Sequence, residues 1–146
     1  MKFVCKTFEQ LTTTELYELL RLRSQIFVVE QNCVYQDLDG KDYKSIHVFY
    51  QDDDGTVLAC LRLFVKDEAS GTIQIGRVVT LKHGIGLGGK LLHAGIEIAK
   101  KDMKAKKLYI EAQKYAAGFY GREGFQICSE EFLEDGIPHV QMELIC

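Results

Sequence analysis

A chain of 146 residues is one domain's worth of sequence, and 47% hydrophobic with 27% charged residues is an ordinary globular mixture; this excludes a disordered, collagenous or low-complexity protein. The 18 Lys and Arg residues against 21 Asp and Glu leave a net charge of −3, a weak basis for general nucleic-acid binding. No apolar run approaches the roughly 20 residues that cross a bilayer, and Met1–Gln10 has no basic-then-apolar leader. Cys5, Cys33, Cys60, Cys128 and Cys146 are odd in number, irregularly spaced and without a CxxC pair. The expectation is a single cytoplasmic domain over 1–146 with free thiols, no disulfide framework, no zinc site and no membrane contact.

Met1–Thr7 is short and mostly apolar, a first strand. Thr12 then opens a helix: Glu15 completes a capping box, and Leu11 with Leu16 fits a hydrophobic staple. Leu16, Leu19, Leu20, Arg23, Ile26 and Phe27 follow helical spacing, with Ile26–Val29 open to reading as a second short helix. Asn32–Lys44 is a polar loop centred on Tyr35-Gln36-Asp37-Leu38-Asp39-Gly40-Lys41-Asp42. Its aspartates begin like a calcium loop, but the glycine comes too early and no distal glutamate fits, so a solvated turn without metal is expected. Ser45–Gln51 alternates, with Ile46, Val48 and Tyr50 on one face, and Thr56–Lys66 completes a hairpin across the Asp52–Gly55 turn. Ser70-Gly71 turns into a strand over Thr72–Leu81. A glycine-rich loop leads to a helix from about Gly88 to Met103, whose apolar face carries Leu92, Ile96, Ala99 and Met103; lysines gather at its end, where the helix dipole is negative. Lys107–Gln113 is a strand, Ala116–Arg122 a short helix stopped by Gly124, and Phe125–Glu130 and His139–Ile145 are two last strands.

Strand, glycine-rich loop and helix together form an anion-binding arrangement, because glycines admit a phosphate close to the backbone and the helix start offers free N–H groups. The loop His83-Gly84-Ile85-Gly86-Leu87-Gly88-Gly89 can be parsed in two ways. Gly84, Gly86 and Gly89 match GxGxxG, which implies a nicotinamide dinucleotide and a redox enzyme. Gly86 and Gly88, with His83 in first position, match (Gln/Arg)xxGxGly/Ala. A dinucleotide domain places its loop after its first strand and needs several strand–helix units after it. Here about four strands precede the loop. A second motif, Gln113, Ala116-Ala117 and Phe119-Tyr120-Gly121-Arg122-Glu123-Gly124-Phe125, stands about 30 residues downstream.

Both motifs and the order of elements resemble the GCN5-related N-acetyltransferases (GNAT) across the whole chain. The run Phe27-Val28-Val29-Glu30-Gln31 with Tyr35, Asp37, Asp39 and Gly40, together with Ile75-Gly76-Arg77-Val78 and Glu134–Met142, is similar to the ElaA-type subgroup. The chain departs from the family at His83, where Arg or Gln is usual, in the connector from Val79 to Gly84, which is shorter than usual, and at Gln113, where many members have Asn.

The resemblance implies a mixed, mostly antiparallel sheet of about seven strands flanked by helices, an α/β fold of α+β type. It implies acetyl-CoA as donor and a small-molecule or peptide primary amine as acceptor, with no metal, and a homodimer through the terminal strands. Val78, Val79, Thr80, His83, Gly84, Ile85, Gly86, Leu87, Gly88, Gly89, Lys90, Gln113, Phe119 and Tyr120 are the expected acetyl-CoA contacts, with a backbone N–H near Val79 polarising the thioester. Tyr120 is the expected general acid, since a phenol can protonate a thiolate. His139 is the first candidate for general base and Glu30 the second. Glu30, Tyr35, His47, Arg77 and His139 are the expected acceptor-side residues, with Arg77 free either to bind an acidic acceptor or to pair with a loop aspartate. A non-catalytic acyl-CoA-binding module on the same fold is the alternative.

Overall fold

The computed structural model describes residues 1–82 and 84–146. Four strands, β1 (Lys2–Thr7), β2 (Ile46–Gln51), β3 (Val57–Asp67) and β4 (Thr72–Thr80), pair antiparallel in that order. Helix α1 (Thr13–Arg23) lies between β1 and β2 and runs on into a π-helical turn, Ser24–Glu30. Helix α2 (Leu87–Lys101) crosses from β4 to β5 (Lys107–Gln113), which runs parallel to β4. Helix α3 (Ala117–Gly121), β6 (Gln126–Ile127), β7 (Phe132–Glu134) and β8 (Ile137–Ile145) complete the chain. β8 pairs antiparallel with β5, β6 and β7, giving a mixed eight-stranded sheet in the order β1-β2-β3-β4-β5-β8-β6, with β7 beside β8. No described helix is long and apolar enough to cross a membrane.

The expected mostly antiparallel α/β sheet is present, with one strand more than expected. β7 falls where a connecting loop was expected, and β8 starts two residues before His139. The reason is Asp135-Gly136: both lie at positive φ (51° and 77°), the geometry of a two-residue hairpin turn, so Glu134 pairs with Ile137 across it.

The α1 start follows its sequence signals. Glu15 N–H donates to Thr12 Oγ1 at 3.0 Å and Thr12 N–H to Glu15 Oε1 at 2.8 Å, satisfying two donors that a helix start leaves orphaned. Alternation along the strands sends Phe49, Cys60 and Val79 to one side of the sheet, against Leu19, Leu22 and Ile26. Val48, Leu61, Leu63 and Ile75 go to the other side, against Leu91, Leu92 and Ile96 of α2. Both faces are therefore buried, which is what a sheet between two helical layers requires.

Two departures from regular pairing shape the centre. β4 and β5 pair only over Thr72–Gln74 and Lys107–Tyr109; beyond these no ladder joins them among the described residues, and the strands part. β4 also carries an extra residue: Arg62 pairs with Gly76 and Cys60 with Val79, so Arg77-Val78 form a bulge, with Arg77 at φ 52°.

α2 sits close on β3: a Cβ at Gly95 would come 2.9 Å from Leu61 Cδ2. Gly95→Val is expected to cost about 1–3 kcal/mol by overpacking, read as a fall in thermal unfolding midpoint; an unchanged midpoint would contradict this contact.

Candidate functional site

The parting of β4 and β5 opens a cleft of about 1020 Å³. One wall is the loop before α2. Gly84 (φ 82°) and Gly86 (φ 76°) take left-handed conformations that a side chain would strain, and among the described residues no atom beyond the chain neighbours lies within 4 Å of a Cβ built at Gly84, Gly86 or Gly89. The N-cap Gly86 has no side chain to cap the helix, and the first turn holds no acidic residue. The N–H groups at the start of α2 therefore remain open to an anion, with the helix dipole behind them. Gly88 brings this corner onto its neighbours: its Cβ would stand 3.2 Å from Thr80 Cγ2 and 3.6 Å from Phe119 Cζ.

Of the residues expected to hold acetyl-CoA, Val78, Val79, Thr80, Gly84, Gly86, Leu87, Gly88, Gly89, Gln113, Phe119 and Tyr120 line this cleft. Ile85 and Lys90 are not among its lining residues: Ile85 is exposed, and the Lys90 ammonium lies over the Tyr50 ring, 5.3 Å from its centroid. His83 lies outside the described residues. Gln113 spends its amide on Gln31, in a reciprocal pair at 3.1 and 3.3 Å that ties the end of the π-helical turn to β5. Tyr120 is buried, edge-on to Phe119 and Phe125, and burial raises its phenol pKa, so the hydroxyl keeps its proton at neutral pH.

The opposite wall comes from β5, β7, β8 and the π-helical turn. His139 is buried, held by a 2.7 Å hydrogen bond from Nδ1 to the Ile137 carbonyl and stacked on Phe132 with centroids 5.9 Å apart. Its Nε2 stands 3.4 Å from Glu134 Oε2. Burial and the neighbouring Glu111 raise the pKa of Glu134. Glu30 also lines the cleft from the exposed end of the π-helical turn. Glu111 and Glu134 were not singled out in the sequence, although the Asp135-Gly136 turn signal was enough to bring Glu134 beside β8.

Most of the polar loop 32–44 is exposed, as expected of a solvated turn, but its aspartates are bound to arginines. Asp37 accepts from Arg23 Nε at 3.0 Å and Arg77 Nε at 2.7 Å; Asp42 accepts from Arg23 at 2.7 Å and Arg62 at 3.1 Å; Asp39 and Arg62 meet through two bonds at 2.6 and 2.8 Å. Burial alone would raise the Asp42 carboxyl, but the Arg23 and Arg62 guanidiniums outweigh it and hold the pKa below the usual carboxylate range. Asp39 is lowered in the same way, by Arg62, the Lys41 N–H and Arg77. Arg77 thus lines the cleft with its guanidinium already bound to Asp37. Tyr35 lines it too, its hydroxyl 3.3 Å from Asp37 Oδ1 and its pKa pushed up to about 12, chiefly by burial. His47 does not reach the cleft: it is buried, with Nε2 2.9 Å from the Asp42 carbonyl, and burial lowers its pKa. It secures the loop instead of facing an acceptor.

A family model described as "Acetyltransferase (GNAT) domain" matches residues 23–146. The chain belongs to the GNAT family. A UPF0039 protein of Schizosaccharomyces pombe is 39% identical over 147 residues, 99% of this chain and 97% of its own. The crystal structure of an acyl-CoA N-acyltransferase from Pseudomonas aeruginosa superimposes with a TM-score of 0.90 at 39% identity, covering 98% of this chain and 99% of that one. The structure of Escherichia coli ElaA does so with a TM-score of 0.90 at 33% identity, over 97% of each. These likenesses bear out the ElaA-type GNAT resemblance and support acyl transfer as the general chemistry of the protein. The GxGxxG parse of the loop fails on topology, because the loop follows the fourth strand of this fold.

Asp42→Asn removes one partner of a buried charge network and is expected to cost about 3–5 kcal/mol in urea unfolding, by leaving guanidinium charge unmatched. The lowered carboxyls contribute stability above the unfolded carboxylate range that is lost as pH falls through their folded values. The wild type should therefore lose stability on acidification below about pH 4 more steeply than the variant.

Proposed function

We propose that this GNAT protein transfers the acetyl group of acetyl-CoA to a primary amine by direct attack in a ternary complex. The observation that supports the reading is that one cleft is lined by the glycine-rich start of α2, by Tyr120, and by His139 and Glu30. The glycine corner suits a pyrophosphate, since among the described residues no atom stands where a Cβ at Gly84, Gly86 or Gly89 would lie.

Acetyl-CoA supplies an acetyl group activated as a thioester. The β4 edge around Val79, which β5 leaves unpaired, offers backbone N–H to polarise the thioester carbonyl. His139 takes the proton of the amine, with Glu30 the second candidate for this role. As the carbon–nitrogen bond forms and the carbon–sulfur bond breaks, Tyr120 gives its proton to the departing thiolate. The acceptor is a small-molecule or peptide amine, and the working compartment is the cytoplasm.

Thermal unfolding with acetyl-CoA, CoA, NAD or NADP tests the donor. Acetyl-CoA or CoA at 100 times its Kd should add about 2.7 kcal/mol, a rise of roughly 5–11 °C for a chain of this size, and the nicotinamide nucleotides should add nothing. Tyr120→Phe should keep the shift and lose about 10²-fold or more in kcat, followed by thiol release in an amine screen. Full turnover by that variant would remove Tyr120 as the acid, and the absence of turnover with any amine in the wild type would favour the binding-module alternative.

A further inference from the structure

The acceptor wall ends in two hydrogen-bond acceptors with no donor between them. A carbonyl can only accept, so the 2.7 Å contact to Ile137 puts the proton of the neutral His139 ring on Nδ1 and leaves Nε2 as a lone pair. That Nε2 makes no hydrogen bond to any described residue, in a side chain only 9% exposed. It faces Glu134 Oε2 at 3.4 Å, another acceptor when ionised. Gln113, opposite His139 in the β5–β8 register, is already paired with Gln31, and Phe132 stacks on the ring.

We propose that Glu134 and His139 together seat the ammonium group of the acceptor, Glu134 receiving one N–H while Nε2 receives the proton that must leave. The proposal rests on reading His139 as the base. The ammonium gives its first proton to Nε2, which frees the nitrogen lone pair for attack, and the imidazolium so formed then donates to Glu134. The second nitrogen proton, released as the carbon–nitrogen bond forms, restores the Tyr120 phenol, which has given its own proton to the thiolate.

The surroundings favour a cation here. Glu111 lies beside Glu134 on β5 and takes the Tyr109 hydroxyl at 3.1 Å, Asp135 follows in the turn, and Glu30 faces the cleft from the π-helical turn. Among the described residues none of these four carboxylates has a lysine or arginine partner within 4.0 Å. Burial and Glu111 raise the proton affinity of Glu134, consistent with a carboxylate lacking its counter-charge.

The test is a pH series of ¹³C- and ¹⁵N-histidine spectra of wild type, E134Q and E134D, with H139Q identifying the His139 signal and n-butylamine as both ligand and acceptor. The expected result is an Nδ1–H tautomer of the neutral His139 ring in all three proteins, with turnover of n-butylamine that falls in E134Q and partly recovers in E134D, which keeps the charge. With it, n-butylamine should move the His139 signal in wild type, and its KM should rise about tenfold in E134Q. If H139Q turns over n-butylamine at the wild-type rate, the reading of His139 as base fails, and the seat with it. If H139Q abolishes turnover while the KM for n-butylamine is the same in wild type and E134Q, the base stands and the ammonium seat is overturned.

Discussion

Three paired residues hold β4 to β5, and the molecule is organised around what happens after them. A parallel pair that parts leaves a row of backbone N–H and C=O groups without their ladder partners, a cost tolerated only where another group can take them up. Here that row faces a cleft instead of a neighbouring strand. The parting separates β5 and β8, which bring Glu111, Gln113 and His139, from β4 and the start of α2, which bring an open set of N–H groups. Closing the sheet would stabilise the backbone and abolish the site.

The second constraint is the charge network under the acceptor wall. Arg23, Arg62 and Asp42 are buried together, with Asp37, Asp39 and Arg77 partly exposed around them, an arrangement that a hydrophobic replacement could match in stability. What it provides is position. Arg77 stands at the β4 bulge with a left-handed backbone, and Asp37 binds its guanidinium at the point where the strand is strained. One carboxylate thereby joins α1, the 32–44 loop and the bulge that turns β4 along the cleft. The loop contributes Tyr35 and Cys33 to the wall, so anchoring the loop also sets the shape of the acceptor side.

Much of this was legible in the sequence because the signals were local. The Thr12–Glu15 box, the 83–89 glycine run and the alternation of Ile46, Val48 and Tyr50 act over a few residues, and each matches the structure where it is described. The motif around Phe119 and Tyr120 placed those side chains on the cleft for the same reason. The misses are non-local. Aspartates 37, 39 and 42 look solvated until Arg62 and Arg77 arrive from strands 20 to 40 positions away. His47 alternates onto a face that the 32–44 loop covers, so it is buried against the Asp42 carbonyl. Gln113 is bound by Gln31, 82 positions earlier, a pairing that no spacing rule reaches. β7 is the exception: Asp135-Gly136 was a local hairpin signal, overlooked because the strand before it has only three residues.

The most direct test of the account is a map of backbone amide shifts in ¹⁵N-labelled protein on adding CoA. The account predicts that the largest changes fall on Val78–Thr80, on residues 84–89 and around Tyr120, the segments that meet where β4 leaves β5. Changes centred instead on β6 and the end of β8, or spread evenly over the sheet, would contradict it.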